Sequence, residues 1–567
     1  MTDSNARYLI VTVALGCLVY WGVLSGPFVY DDTFFVRDNP HIRALSFQTV
    51  WRFFDSPAET VASVRWDDIY RPVRTLSFAC DYALWGNNPA GYHLVNIVFH
   101  ILNTLLIGFF FRRLFASGEV AFLSSLIFLL HPLQTEAVSW ISSRADVLFV
   151  SFYMGSLLLY LRFLDDKTSG RVRGPLCLAS TGVYIGSLLS KEMALTLPLV
   201  LFLYEVMFTQ WRRRGGLAGI LRRGASFYAA SFAYVILRWF LLERVGQRGW
   251  WGQDIVLHCA TIPRAFVTYL RLLLFPVGQS LIHDIPVAHA VWEPMTIFSV
   301  AGLFVAAGAV AFLWRRNRMT AAFGILWFFV TFLPASNLIP INTLVSERFL
   351  YLPVVGFAVC IGALTTAFEE KKRLSRYFFA VLLFLYGTLT ILRNIDWQNE
   401  ERLWRSAVAV SPNHYQAHYS LGVAYARSDK LLHAEEEYIR SLALRPDYLP
   451  AYNNLGNVYY RLGRFKMAIR EFKNILQFNP RSSVAYYNLG NVYGAMGHYK
   501  KAIASFRKAL SLNPEDAQCH YNLAVTLAAL PEPNTVAIQY HLRRAQELGY
   551  EPPAKKQRYF KDNIMRQ

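Results

Sequence analysis

Charge is scarce in this chain. Asp, Glu, Lys and Arg make up 17% of 567 residues, against about 25% in average soluble domains, while 54% are hydrophobic. That shortage excludes an ordinary soluble enzyme. The six cysteines (17, 80, 177, 259, 360 and 519) are scattered, with no CxxC pair and no metal-ligand spacing, so they define neither a redox centre nor a compartment. No GxxxxGK[ST] or GxGxxG run occurs, which leaves no phosphate cradle for ATP or a nucleotide sugar. The apolar segments show no related halves, which argues against a transporter.

Apolar runs near 18 residues, long enough for a ~30 Å hydrocarbon core, recur from residue 8 to about residue 393. Spans are expected near 8–25, 93–111, 119–135, 147–163, 175–190, 194–209, 225–242, 295–313, 320–336, 347–366 and 376–393. The net charge of +19 comes largely from clusters between these runs: "FRRLF" at 111, "RVRG" at 171, "QWRRRGG" at 210, "LRRG" at 221, "WRRNR" at 314 and "KKRLSR" at 371. This is the positive-inside pattern, not a nucleic-acid surface. With a cytoplasmic N-terminus and the first run kept as a signal anchor, all the clusters fall inside. The stretch 255–275 carries Pro263, Arg264 and Arg271, and a full crossing there would move Arg315–Arg318 outside. It is therefore expected to be re-entrant or interfacial, giving eleven spans and an exterior C-terminus. A long loop (26–92), the segment 134–146, the Lys191–Glu192 turn, 243–293 and 337–346 then face away from the cytosol. Any transferase working there must draw an activated group from the membrane, and a lipid-linked phosphosugar meets that need.

From residue 398 the sequence repeats. Pro412, Pro446, Pro480 and Pro514 are 34 residues apart, as are Leu421, Leu455, Leu489 and Leu523, and Gly422, Gly456 and Gly490 follow the first three. Ala434, Ala468 and Ala502 mark a second helix in each unit, with Ala537 one residue late after "LPEPN". This is the tetratricopeptide helix–turn–helix period, about four units stacked into a solenoid with a concave face. Asn454, Asn488 and Asn522 recur in register, with Asn457 and Asn491 nearby. Such a column of amides can hold an extended peptide, or can simply cap and solvate the groove. The expected fold is all-α: a polytopic bundle (1–396), a solenoid (397–550) and a basic tail (551–567).

Four stretches, "YRPVRTLSFACDYALWGNNPAGYHLVNIVFHILNTLL" (70–106), "HPLQTEAVSWISSRADVL" (131–148), "LLSKEMALTLPLVLFLYE" (188–205) and "SERFLYLP" (346–353), resemble the transmembrane and tetratricopeptide repeat-containing protein O-mannosyltransferases, in the same order and with the same kind of tail. The resemblance implies a GT-C fold, a polyprenyl- or dolichyl-phosphate mannose donor and Ser/Thr of exported proteins as acceptor. The short tail suggests a prokaryotic member in the plasma membrane; a eukaryotic one would sit in the endoplasmic reticulum. The asparagine column also resembles that of the cytosolic O-GlcNAc transferase, whose nucleotide-sugar domain has no counterpart here.

"GPFVYDDTFF" (26–35) places two adjacent carboxylates just beyond the first span. With the resemblance, Asp31 and Asp32 read as the acidic motif of GT-C enzymes. One of them, with Asp31 favoured, takes the hydroxyl proton of the acceptor, while its neighbour raises its pKa or orients the acceptor. The plain alternative is a helix N-cap.

Arg144 and Arg348, near external ends of spans, are candidates to bind the lipid phosphate, or else are snorkelling anchors. Arg71 and Arg74 are weaker candidates. Lys191 can add to phosphate binding but reads better as a structural partner of Glu192. His131, Glu136 and Asp146 can hold sugar or acceptor, and His283 and Asp284 recur in "LIHDIP". No HxxE, HxH or paired-Asp ligand spacing in these loops supports a metal, and no cofactor is required. Asp67 and Asp68 form a second acidic pair beside Trp66 and Tyr70. His93, Asn96, His100 and Asn103 share one face of the second span, for bonds between helices or to line a donor cavity. A membrane-anchored scaffold with an inert acidic pair, and a transferase acting on a glycan or lipid, are the rival readings.

Overall fold

The computed structural model describes residues 3–55, 70–165, 170–242, 254–341, 343–366 and 372–551. Asp67, Asp68 and Trp66, and the basic tail beyond Glu551, lie outside the described residues. The chain is all-α and divides into two compact units, Met1–Val410 and Ser411–Gln567.

In the first unit, six helices are long and apolar enough to cross a membrane: Asn5–Ser25, Pro89–Leu114, Ile141–Leu164, Gly216–Leu241, Pro294–Arg315 and Arg373–Trp397. A seventh candidate is bent by 51° between Gly118–Leu130 and Pro132–Ser139. Pro132 has no N–H to continue the ladder, so the chain turns there. The chain is thus an integral membrane protein with six or seven candidate spans. The other expected segments form the helices Gly170–Ser190, Leu197–Phe208, Met319–Phe332 and Val354–Thr366. Ile255–Leu274 is one unbroken helix despite Pro263 and is not among the candidate spans.

Pro89–Leu114 runs through the core, against Asp3–Tyr20, Gly118–Leu130 and Arg144–Leu164. Its polar face knits the bundle. Asn96 Nδ2 donates to the carbonyls of Val138 and Trp140, His100 Nδ1 meets the Tyr351 hydroxyl at 2.8 Å, and Asn103 Nδ2 donates to Val147 O at 2.9 Å. Hydrocarbon offers such groups no partner, so they bond within the protein. Met319–Phe332 and Val354–Thr366 approach almost backbone to backbone. A Cβ on Gly324 would stand 2.7 Å from the Gly356 carbonyl, so only glycine fits.

The second unit pairs Tyr415–Arg427 with Leu431–Leu444, Leu449–Arg461 with Phe465–Phe478, Ser483–Ala495 with Tyr499–Leu512 and Ala517–Ala528 with Thr535–Glu547. Gly456 faces the Phe472 ring, where a Cβ would meet carbon atoms at 2.7 Å. Its absence lets the two helices of the repeat close on a buried aromatic.

Candidate active site

The residues that meet come from two of the segments expected outside the membrane, 26–92 and 134–146, and from the start of the expected span 347–366. The turn after the first helix carries Asp31 and Asp32, Pro132–Ser139 carries Glu136, Pro72–Trp85 starts with Arg71 and Arg74, and Glu347–Leu350 carries Arg348.

The two adjacent aspartates have different surroundings. Asp32 is fully buried and its oxygens are occupied: Oδ2 accepts from Val29 N at 3.0 Å, and Oδ1 from Ser142 N at 2.8 Å and Ser142 Oγ at 2.5 Å. It pins the loop to residues 141–143. Burial pushes its pKa up and the Asp31 charge adds to this, while the Ser142 and Val29 hydrogen bonds pull it back. Asp31 is half-buried, and its carboxylate takes no hydrogen bond among the described residues. Burial raises it to about 6, with Arg348 first and Arg74 second pulling it down. Two cations thus act electrostatically on one uncommitted carboxylate.

Arg348 is held by Glu136. Oε1 of Glu136 accepts from Arg348 Nη1 at 3.1 Å and from Ser346 Oγ at 2.7 Å, and Oε2 accepts from the Arg348 backbone N at 3.2 Å. The guanidinium carbon lies 4.7 Å over the Trp140 ring. Its Nε and Nη2 stay open among the described residues. Arg74 is 4% exposed, lies 4.3 Å over Phe35, and its buried Nε has no hydrogen-bond partner among the described residues. Burial and then Arg71 lower it to about 9. A buried cation with an unused donor is costly unless an anion completes it.

Other candidates have partners elsewhere in the unit, and one expected pairing, Lys191 with Glu192, is replaced by another. Arg144 does not line an opening. It is fully buried, with Nη2 on Asp81 at 2.6 Å and on Tyr92 O at 2.8 Å, Nη1 on Ser77 Oγ at 2.7 Å, and Nε on Asn96. His131 is fully buried, Nε2 against Leu273 O at 3.1 Å and Nδ1 accepting from Leu133 N at 3.3 Å, so it has no nitrogen left for a sugar. Lys191 pairs with Asp146 at 2.5 Å, not with Glu192. Glu192 instead accepts from Arg71 at 2.8 Å and meets Arg238 at 3.5 Å.

His283 Nε2 meets Glu347 Oε1 at 3.0 Å, and Asp284 beside it is exposed. Glu347, which also accepts from Ser280 N at 2.6 Å and Gln279 Nε2 at 3.0 Å, was missed in the sequence although it lies inside the "SERFL" motif. Ser142 and Tyr351 were missed too. Arg74 had a signal: it follows Arg71 by three residues, so both share one face of the first helical turn.

In the solenoid the asparagines form a ladder of bonds between repeats. Asn454 Nδ2 donates to Tyr419 OH at 3.1 Å, Asn488 Nδ2 to Asn453 Oδ1 at 2.7 Å, and Asn522 Nδ2 to Tyr487 OH and Asn491 Oδ1, both at 2.9 Å. Each spans to a residue 31 or 35 positions earlier. The Asn488 and Asn522 carbonyl oxygens stay open among the described residues, and half-buried Asn457 makes no side-chain hydrogen bond there.

Residues 483–516 match the family described as "Tetratricopeptide repeat", and residues 456–497 match "TPR repeat". Among curated proteins, the chain is 27% identical to Protein O-mannosyl-transferase TMTC2 of Mus musculus and of Homo sapiens, over 76% of this chain and 62% of either relative. It is also 27% identical to Protein O-mannosyl-transferase TMTC1 of Homo sapiens, over 71% of this chain and 51% of that one. The chain therefore spans less than two thirds of the length of these relatives. Of solved structures, MamA from Desulfovibrio magneticus RS-1 is 24% identical, over 26% of this chain and 82% of that one, with a TM-score of 0.25.

Proposed function

We propose, for a homologue of the TMTC protein O-mannosyl-transferases with a tetratricopeptide tail, that it moves a sugar from a polyprenyl- or dolichyl-phosphate to Ser/Thr of exported proteins, with inversion. The sugar is mannose, and the membrane unit is of the GT-C type with eleven crossings. The short helices extend through neighbouring turns, as Glu192–Thr196 runs straight into Leu197–Phe208. The N-terminus is cytoplasmic, and the site and the repeats lie on the exterior side.

The observation that carries this reading is the Asp31 carboxylate, which takes no hydrogen bond among the described residues and feels the charges of Arg348 and then Arg74. Asp31 takes the proton of the acceptor hydroxyl as its oxygen attacks the anomeric carbon. The bond from that carbon to the phosphate oxygen breaks, and its electron pair stays on the phosphate. Arg348 and Arg74 offer N–H donors to the leaving phosphate, an electrostatic role that grows as charge develops there. Glu136 positions Arg348, and Asp32 positions the loop. Asn488 and Asn522 offer carbonyl oxygens to N–H groups of an extended acceptor, with Asn454, Asn457 and Asn491 beside them.

The test is transfer of labelled mannose from a polyprenyl-phosphate donor by the full chain in proteoliposomes, with a Ser/Thr-containing polypeptide and bilayer lipid both present. Label on the polypeptide, removed by base, supports the reading. Label in lipid or glycan alone supports the rival acceptor class, and no label anywhere with a folded protein supports a scaffold.

A further inference from the structure

The first long loop holds a helix that the transfer chemistry does not use. Phe47–Asp55, "FQTVWRFFD", is packed on one face only. Phe53 is buried, Val50 and Phe54 sit against a cluster of Phe35, Ile42 and Phe78, and the Tyr70 hydroxyl donates to Phe54 O at 3.0 Å. The other face is bare. Phe47 is 86% exposed and Trp51, one turn on, 59%, their rings stacked with centroids 6.4 Å apart, and Leu45 just before the helix is exposed as well.

Two observations point to what covers it. The first is position. Arg43 donates to Tyr82 OH at 2.9 Å and lies 5.1 Å over that ring, tying the Leu45–Phe47 end to the last turn of Pro72–Trp85. That helix finishes in exposed Leu84 and Trp85, immediately before the candidate span Pro89–Leu114. The bare side chains therefore lie beside the point where the chain enters the hydrocarbon. The second is chemistry. Phe and Trp on one face with a cation at its margin is the composition of segments that lie in the interface, rings at the headgroup boundary and charge at the phosphates. Arg52 supplies that cation: it is exposed and has no ion pair or hydrogen bond among the described residues.

We infer that Phe47–Asp55 is an in-plane membrane anchor. Leu45, Phe47 and Trp51 enter the headgroup–acyl boundary, and Arg52 meets a lipid phosphate. The loop that bears Asp31 is thereby held against the leaflet. The inference stands apart from the transferase reading, because a scaffold would dock the same way.

The experiment uses the full chain in vesicles of phosphatidylcholine and phosphatidylglycerol, with an environment-sensitive fluorescent amino acid in place of Phe47, and in a second protein in place of exposed Glu436 of the repeats. Spin-labelled lipid carrying its quencher near the headgroup should reduce emission at position 47 by about twofold or more, as expected for a side chain 5–10 Å into the boundary, while aqueous iodide leaves it nearly unchanged. Position 436 should show the reverse. Moving the reporter to Leu45 and adding Phe47→Ser with Trp51→Ser should abolish the lipid quenching. Quenching at 47 by iodide alone overturns the proposal, and so does quenching by neither agent, which would mean that protein covers the face. If a reporter variant fails to fold, a photo-crosslinking residue at Trp51 gives the same decision: adducts with lipid support the anchor, and adducts with protein or none overturn it.

Discussion

The two units of this chain place most of their paired charges differently. The interior of the membrane unit holds dry ion pairs: Arg144 and Asp81 are 0% and 5% exposed, and Lys191 and Asp146 are 2% each, while pairs such as Arg113 with Asp165 stay at its surface. In the repeats most pairs are wet: Arg464 and Glu435 are 43% and 17% exposed, and Arg461 and Asp429 are 45% and 81%, with buried His418 and Glu437 the exception among those described. A dry charge must be matched on the spot, because no solvent stands in for a missing partner. Arg74 then stands out as a buried cation with an unpartnered donor, and the charge of half-buried Asp31 acts on it. In the solenoid, where most paired charges are exposed, solvent can stand in for a missing partner.

The comparison can be broken at several strengths. Arg144→Ala strands Asp81 in the interior and should cost about 3–5 kcal/mol, read as loss of folded protein in detergent at a temperature the parent survives. A variant as stable as the parent would mean that this pair is not dry. Gly456→Leu pushes a side chain into the Phe472 ring and should cost about 1–3 kcal/mol, seen as a lowered unfolding midpoint with the membrane unit intact.

Acidity acts on the unmatched group. If Asp31 is the base, transfer should fall about tenfold for each pH unit below about 6, where an ordinary carboxylate would hold its rate to about 4. The matching stability effect has a definite sign. The folded state keeps a proton on Asp31 over a window in which the unfolded state has lost it, so stability decreases as pH rises from about 4 to about 6. Arg464→Ala removes a wet pair and should change stability by less than about 1 kcal/mol, within the error of a melting curve.

How much of this was legible follows the same division. The repeats could be read because each position meets its partner at a fixed offset: Gly456 opens onto Phe472 within its own unit, and Gly422 and Gly490 stand 34 residues either side. The acidic turn could be read as well, from its place just beyond an apolar run. What each charge does there could not. Arg144 meets Asp81 63 residues earlier and Lys191 meets Asp146 45 residues earlier, and no local pattern signals either partner. The contrast between Asp31 and Asp32 depends on Ser142, 110 residues from Asp32, which occupies one carboxylate and leaves its neighbour open. The asparagine column was visible as a column. That its amide N–H groups bond to the preceding repeat was visible only in the fold.

The most direct measurement is sugar transfer and donor binding by purified Asp31→Asn protein, with the parent alongside. The account predicts a fall in rate of about 10²–10⁴-fold with donor affinity within a few-fold of the parent, because the amide cannot take the hydroxyl proton while Arg348 and Arg74 still hold the phosphate. Transfer by the folded variant at the parental rate would contradict it.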